Sequence, residues 1–152
     1  MVYERIKQQM MGSLPLVSLL GIQIEEIGPG TARVVMPADP KINNHLGSQH
    51  AGAVFTLAET ASGAAMAGGF AELILDLRPV AKEARIQYLK VLKGSTCASA
   101  KVEGDLAALK QSLQRDGKVA FPVQVEIVDS EGTLVAQVQV EWYLSFKRPA
   151  TA

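Results

Sequence analysis

Two histidines, an asparagine and a carboxylate fall within a short stretch of this 152-residue chain. Both histidines of the protein, His45 and His50, lie in the segment Asn43-Asn44-His45-Leu46-Gly47-Ser48-Gln49-His50. The segment leads into residues 51–71, where Glu59 is the single ionisable side chain. If that stretch is a helix, the amides of its first turn, near Ala51 and Gly52, have no intrahelical acceptor and carry the positive end of the dipole. Such amides can hold a carbonyl oxygen that gains charge during acyl transfer, an effect worth about 3 kcal/mol per donor. Glu59 follows Ala51 by eight residues, about 12 Å along a helix axis. Asn44 adds an amide that can hold a water or a carbonyl.

Each of these residues also has a purely structural reading. Asn44 and Gly47 are common turn formers, and His50 can cap a helix or tie down a loop. His45, His50 and Glu59 together could ligate a metal, although His-x4-His is not an established ligand spacing. A lone carboxylate in an Ala/Gly/Val/Leu helix must reach solvent, find a cation, or take up a proton through a raised pKa. A buried ion pair therefore competes with a carboxylate that faces a ligand cavity.

The elements that would position these groups follow from patterning. Residues 2–12 read as a short helix ended by Gly12-Ser13, and Pro15 opens a second that stops at Gly21. Residues 22–27 and 31–36 form a hairpin about Gly28-Pro29-Gly30. Residues 37–49 make a polar loop. The stretch 51–71 is long enough to cross a bilayer, but its Ala, Gly, Ser and Thr content and a central Glu59 argue for a helix buried inside a globular fold. After Pro79 the pattern turns to strands over 80–92, 95–102, 119–128 and 133–146. A helix over 105–115 interrupts them, capped by Asp105 and closed by Gly117. Asp129-Ser130-Glu131-Gly132 turns the last hairpin. The predicted class is α+β, an antiparallel sheet wrapped around one buried helix, in a single domain over 1–152 with a core at 15–147. Lys147-Arg148-Pro149 begins a short tail.

Composition bounds the alternatives. Fifteen basic and fifteen acidic side chains give a net charge of zero, unlike a general nucleic-acid binder. With 48% hydrophobic residues the chain can bury a core without disulfide or metal. The one cysteine, Cys97, excludes an intrachain disulfide and, with no Cys-His pair at finger spacing, a structural zinc site. The N-terminus lacks a signal-peptide pattern, so a cytoplasmic location is expected.

The run Asn44-x-x-Gly47-x-x-His50-Ala51-Gly52-x4-Leu57-Ala58-Glu59 resembles the hot-dog-fold acyl-CoA thioesterases of the phenylacetate-degradation type. Those proteins carry Asn-x-x-Gly-x-x-His-Gly-Gly and then an Asp or Glu seven residues after the second Gly, the interval from Gly52 to Glu59. The 22–36 hairpin, the strand around Arg85-Ile86-Gln87-Tyr88-Leu89 and the turn at 129–136 fall in family order. The resemblance therefore covers roughly residues 15–147. Two positions depart from it: Ala51 replaces the first Gly, and Glu59 stands where many relatives have Asp. A Ser or Thr that relatives bring from the neighbouring subunit falls near Ala81.

The resemblance implies a homodimer or homotetramer that hydrolyses an acyl-CoA thioester, with no metal or bound cofactor and no nucleic-acid or membrane partner. Glu59 would act as general base or nucleophile, Asn44 would position water or substrate, and the amide of Ala51 or Gly52 would hold the thioester oxygen. Gly47 and His50 would shape the loop. Lys90 and Lys93 could meet coenzyme A phosphates, or simply belong to a solvated strand face. The rival readings are a non-catalytic acyl-CoA binder or sensor, and a dehydratase or hydratase, which the absence of a His-Phe-Pro loop disfavours.

Overall fold

Small side chains decide how this chain packs. In a computed structural model, which describes residues 1–148, helix α3 (Ala51–Gly69) has fourteen of its nineteen residues buried, nearly all Ala, Gly, Ser, Thr or Val. A helix with so few bulky groups lets a sheet close around it. Gly68 shows the limit: a Cβ there would collide with the carbonyl oxygen of Gly28 and meet Ile27 Cγ2 at 2.7 Å. Helix and strand backbone touch directly at this point.

The sheet has six antiparallel strands: β1 (Gln23–Gly28), β2 (Thr31–Met36), β3 (Leu77–Tyr88), β4 (Thr96–Val102), β5 (Lys118–Asp129) and β6 (Leu134–Phe146), in the spatial order β1-β2-β4-β5-β6-β3. Helix α3 packs on β1, β2, β4, β5 and β6, and α1 (Val2–Ser13) packs against both α3 and β1. Helix α2 (Pro15–Leu19), with Pro15 in its first turn, links α1 to the sheet. Helix α4 (Leu106–Asp116) closes the end of α3, where Leu106 meets Gly69 and Gly30. The predicted caps of α4 are present: Asp105 accepts from the Ala107 amide at 3.0 Å, and Gly117 sits at φ 74°. This is the hot-dog arrangement, a sheet wrapped around one central helix.

Two prolines depart from simple patterning. Residues 80–92 were expected to start a strand after Pro79, yet β3 begins at Leu77 and carries Pro79 opposite Leu144. Strand β3 is an edge, so its outer side needs no ladder donor. Pro122 lies inside β5, which has neighbours on both sides. Its carbonyl accepts from Glu103 just beyond the last β4–β5 pair, Val102–Val123, so the missing N–H points to where β4 has already ended. The polar loop at 37–49 also holds a 3-10 turn at Pro40–Ile42. The expected C-terminal tail lies outside the described residues from Pro149 onward.

Candidate active site

The loop before α3 is rigid for local reasons. Asn44 Oδ1 accepts from the Leu46 amide (2.9 Å), the Ser48 amide (3.2 Å) and Ser48 Oγ (3.0 Å). Gly47, at φ 73°, completes the turn that begins at Asn44 and donates back to the Asn44 carbonyl. Gln49, which patterning did not single out, anchors the loop to the sheet. Its buried amide donates to the Gly94 carbonyl at 2.8 Å and accepts from Thr96 Oγ1 at 2.8 Å, while its backbone N–H reaches Leu92. Asn44 thus has a structural role through its oxygen, and its Nδ2 is left without a partner among the described residues. It can act on a ligand as a donor only.

His50 is the N-cap of α3, and its Nδ1 accepts from the Gly52 amide at 2.9 Å. That bond consumes Gly52 as an oxyanion donor. The Ala51 amide, at the first position of the helix, has no acceptor among the described residues and stands exposed. No non-glycine residue among those described has positive φ, so Ala in place of the family's Gly carries no backbone strain here. Tyr88, a second residue that patterning did not reveal, donates its hydroxyl to the Ala51 carbonyl at 2.9 Å and ties the end of β3 to the start of α3. Asn44, Ala51, Tyr88 and Lys90 border one hollow of about 350 Å3. Lys93 is exposed and borders none of the described hollows. His45 is exposed in the turn, and no metal-binding cluster forms among the described residues.

Glu59 sits elsewhere. It is half-buried on α3 and lines a larger cavity of about 600 Å3, walled by α1, Trp142 and the segment before β3. No ion pair or hydrogen bond to its carboxylate occurs among the described residues, and no buried side-chain oxygen is left without a partner. Its oxygens therefore open into the cavity. Desolvation alone pushes the carboxyl above its ordinary pKa of 4.5. The turn that bears it is fixed by a short relay: Trp142 Nε1 donates to Ser62 Oγ (2.9 Å), and Ser62 donates to the Glu59 carbonyl (2.7 Å). The carboxylate and the free amide thus occupy separate hollows of the chain, about two turns of helix apart. Ala81 is exposed on β3 next to a bulge and offers no hydroxyl.

The uncovered part of α3 joins the two. Ala51 and Gly52 are exposed, while Phe55, Thr56 and Glu59 are half-buried. These five positions recur at helical spacing and make one stripe. Beside it, α2 exposes Leu16 and Leu19, at 54% and 66%, and of the twelve residues of β3 only Leu77 is buried. A long bare edge strand next to a bare helix stripe is an unusual surface for an isolated chain.

A family model described as "Domain of unknown function (DUF4442)" matches residues 3–144. No curated protein matches the chain. Among solved structures, the chain is similar to PA5026 of Pseudomonas aeruginosa, described as a probable thioesterase, with 26% identity, 95% of each chain covered and a TM-score of 0.83. It is also similar to the PaaI protein of the E. coli phenylacetic acid degradation operon, with 23% identity, 97% of this chain and 94% of that one covered, and a TM-score of 0.76. The thioesterase HI1161 of Haemophilus influenzae shares 21% identity over 99% of this chain and 94% of its own, with a TM-score of 0.77. No helix among the described residues is long and apolar enough to cross a membrane.

Proposed function

The chain belongs to the DUF4442 family, and from that premise we propose that it hydrolyses an acyl-CoA thioester to the free acid and coenzyme A. The observation that carries the reading is Glu59, a partly desolvated carboxylate without a cation, opening into a cavity on the same helix that presents the free Ala51 amide. In the reaction, the Glu59 carboxylate takes a proton from water as the water oxygen attacks the thioester carbon. The oxyanion that forms accepts from the Ala51 N–H at the positive end of α3. Collapse expels the thiolate, which takes up the proton from Glu59. Asn44 Nδ2 is the donor placed to orient substrate beside Ala51, and Lys90, at the rim of the same hollow, meets the phosphates of coenzyme A.

The site is completed by a second copy of the chain. If two α3 helices pack antiparallel about a twofold axis near Phe55, the midpoint of positions 51 and 59, then Ala51 of each lies opposite Glu59 of the other. That packing covers the stripe and leaves β3 beside its twin. The separation of amide and carboxylate within one protomer supports it, as does the apolar surface around the stripe. The thioesterase descriptions of PA5026 and HI1161 support the choice of bond.

Thiol release across a panel of acyl-CoA esters, with Glu59→Gln run in parallel, tests the proposal. The wild type should turn over at least one ester, and the variant should lose about 10²–10⁴-fold in kcat. Saturable binding of acyl-CoA with no thiol release would identify a binder or sensor instead, and undiminished turnover by the variant would remove Glu59 from the chemistry.

A further inference from the structure

We propose that the cavity beneath α1 is the acyl-group pocket and that it takes an unbranched apolar chain of medium length. The inference rests on the hydrolase reading for the reaction, but on the cavity itself for the ligand. Glu59 stands at one end of a strip on α3 that continues through Gly63, Met66 and Ala67, four, seven and eight residues on. Those spacings keep one helix face, and the strip is about 12 Å long. The carbon attacked by water must lie beside the Glu59 carboxylate, so the chain bonded to that carbon runs along the strip. Facing it are Ile6 and Met10 of α1 and the indole of Trp142.

Gly63 sets the width. A Cβ at this position would meet Trp142 Cζ2 at 3.2 Å and Met10 Cε at 4.0 Å, so helix, indole and α1 already come together here without space for a side chain, and a chain passing Gly63 along the cavity must be slender. Gln9, Ser13, Arg78 and Lys147 border the cavity but are exposed, Thr60 Oγ1 is engaged with the Thr56 carbonyl, and Gly63, Met66 and Ala67 offer an acyl tail no polar partner. A tail with its own carboxylate would lose hydration there without compensation. Each methylene buried along the strip should raise kcat/KM by about fourfold until the strip is full. An acetyl group would leave most of it empty.

Trp142 is the only tryptophan in the chain, so emission excited at the red edge of absorption, where tyrosine does not contribute, reports on this wall. Titration of the wild type with octanoate should change the emission saturably, and acetate at the same concentrations should not. Ala67→Phe plugs the end of the strip away from Glu59, and Met10→Phe narrows it from the half-buried face of α1. Each should weaken octanoate binding about tenfold and lower the ratio of kcat/KM for octanoyl-CoA to that for acetyl-CoA by a similar factor. Octanoate that leaves the emission untouched overturns the pocket, as does loss of selectivity in neither variant. Emission that follows protein concentration and ignores octanoate puts a second copy of the chain in the hollow and overturns it too. Saturable octanoate binding without thiol release from any acyl-CoA retains the pocket and overturns only the hydrolase reading.

Discussion

Glu59 is held where ionisation is costly, and this gives it a signature in stability as well as in rate. Its carboxyl is raised above the ordinary value by desolvation, with no cation or donor bonded to it among the described residues. A carboxylic acid whose folded pKa exceeds its unfolded one contributes stability that is fully present below the unfolded pKa and is lost as pH rises through the folded value. Glu59→Gln removes that loss. The variant should melt at a higher temperature than wild type at neutral pH, and the two should converge once the solution is acidified below the usual carboxylate range. Thermal melts from pH 4 to 8 check this, and a variant that melts lower at neutral pH would mean that an attractive partner holds the carboxylate. With Glu59 as the general base of the proposed hydrolysis, turnover should rise with pH later than an ordinary carboxylate would allow. At the other end of the stripe, Ala51 can be replaced by proline without backbone cost. It occupies the first helical position, and His50 before it is already extended at ψ 137°. Ala51→Pro deletes only the free N–H, so kcat should fall about 10²–10³-fold in a protein with an unchanged melting temperature. If kcat holds, the oxyanion is bound elsewhere.

Helix α3 works as an element because it is thin. Gly68→Ala should cost about 1–3 kcal/mol, measured by urea unfolding, because the new methyl group must displace the Gly28 backbone, which is less yielding than a side chain. An equal stability for the variant would show that the helix can retreat from the hairpin. The small-residue run that makes this packing necessary was plain in the sequence, and it led directly to a helix enclosed by a sheet. The cap at Asp105, the close at Gly117 and the Asp129 turn were legible for a similar reason, since short-range hydrogen bonds are written in neighbouring residues. Pro79 misled because a proline breaks a strand only where a ladder donor is required, and edge position is a property of the whole sheet. Gln49, Tyr88 and the Trp142–Ser62 relay stayed hidden because their partners are distant in sequence: 37 residues from Tyr88 to Ala51, 47 from Thr96 to Gln49 and 80 from Trp142 to Ser62. The motif marked Glu59 and Ala51 as a pair, but their separation into two hollows is visible only in three dimensions.

For the whole molecule, that separation makes the subunit arrangement testable through chemistry. A site shared between copies pairs the amide of one chain with the carboxylate of the other, whereas a site within one chain needs both from the same copy. Ala51→Pro and Glu59→Gln should each be inactive alone. In a mixed dimer, the Glu59→Gln chain supplies an intact Ala51 amide and the Ala51→Pro chain an intact Glu59, so one of the two sites is fully native and the other carries both lesions. Random exchange at equal concentrations makes half the dimers mixed, so activity should recover to about a quarter of wild type. Thiol release measured before and after the two variants are unfolded together and refolded reads this directly. Refolding each variant alone should restore nothing. Sedimentation confirms that the mixed species is dimeric or larger. No recovery in a mixture shown to exchange would place the whole reaction within one chain, and the bare stripe on α3 would then need another partner to cover it.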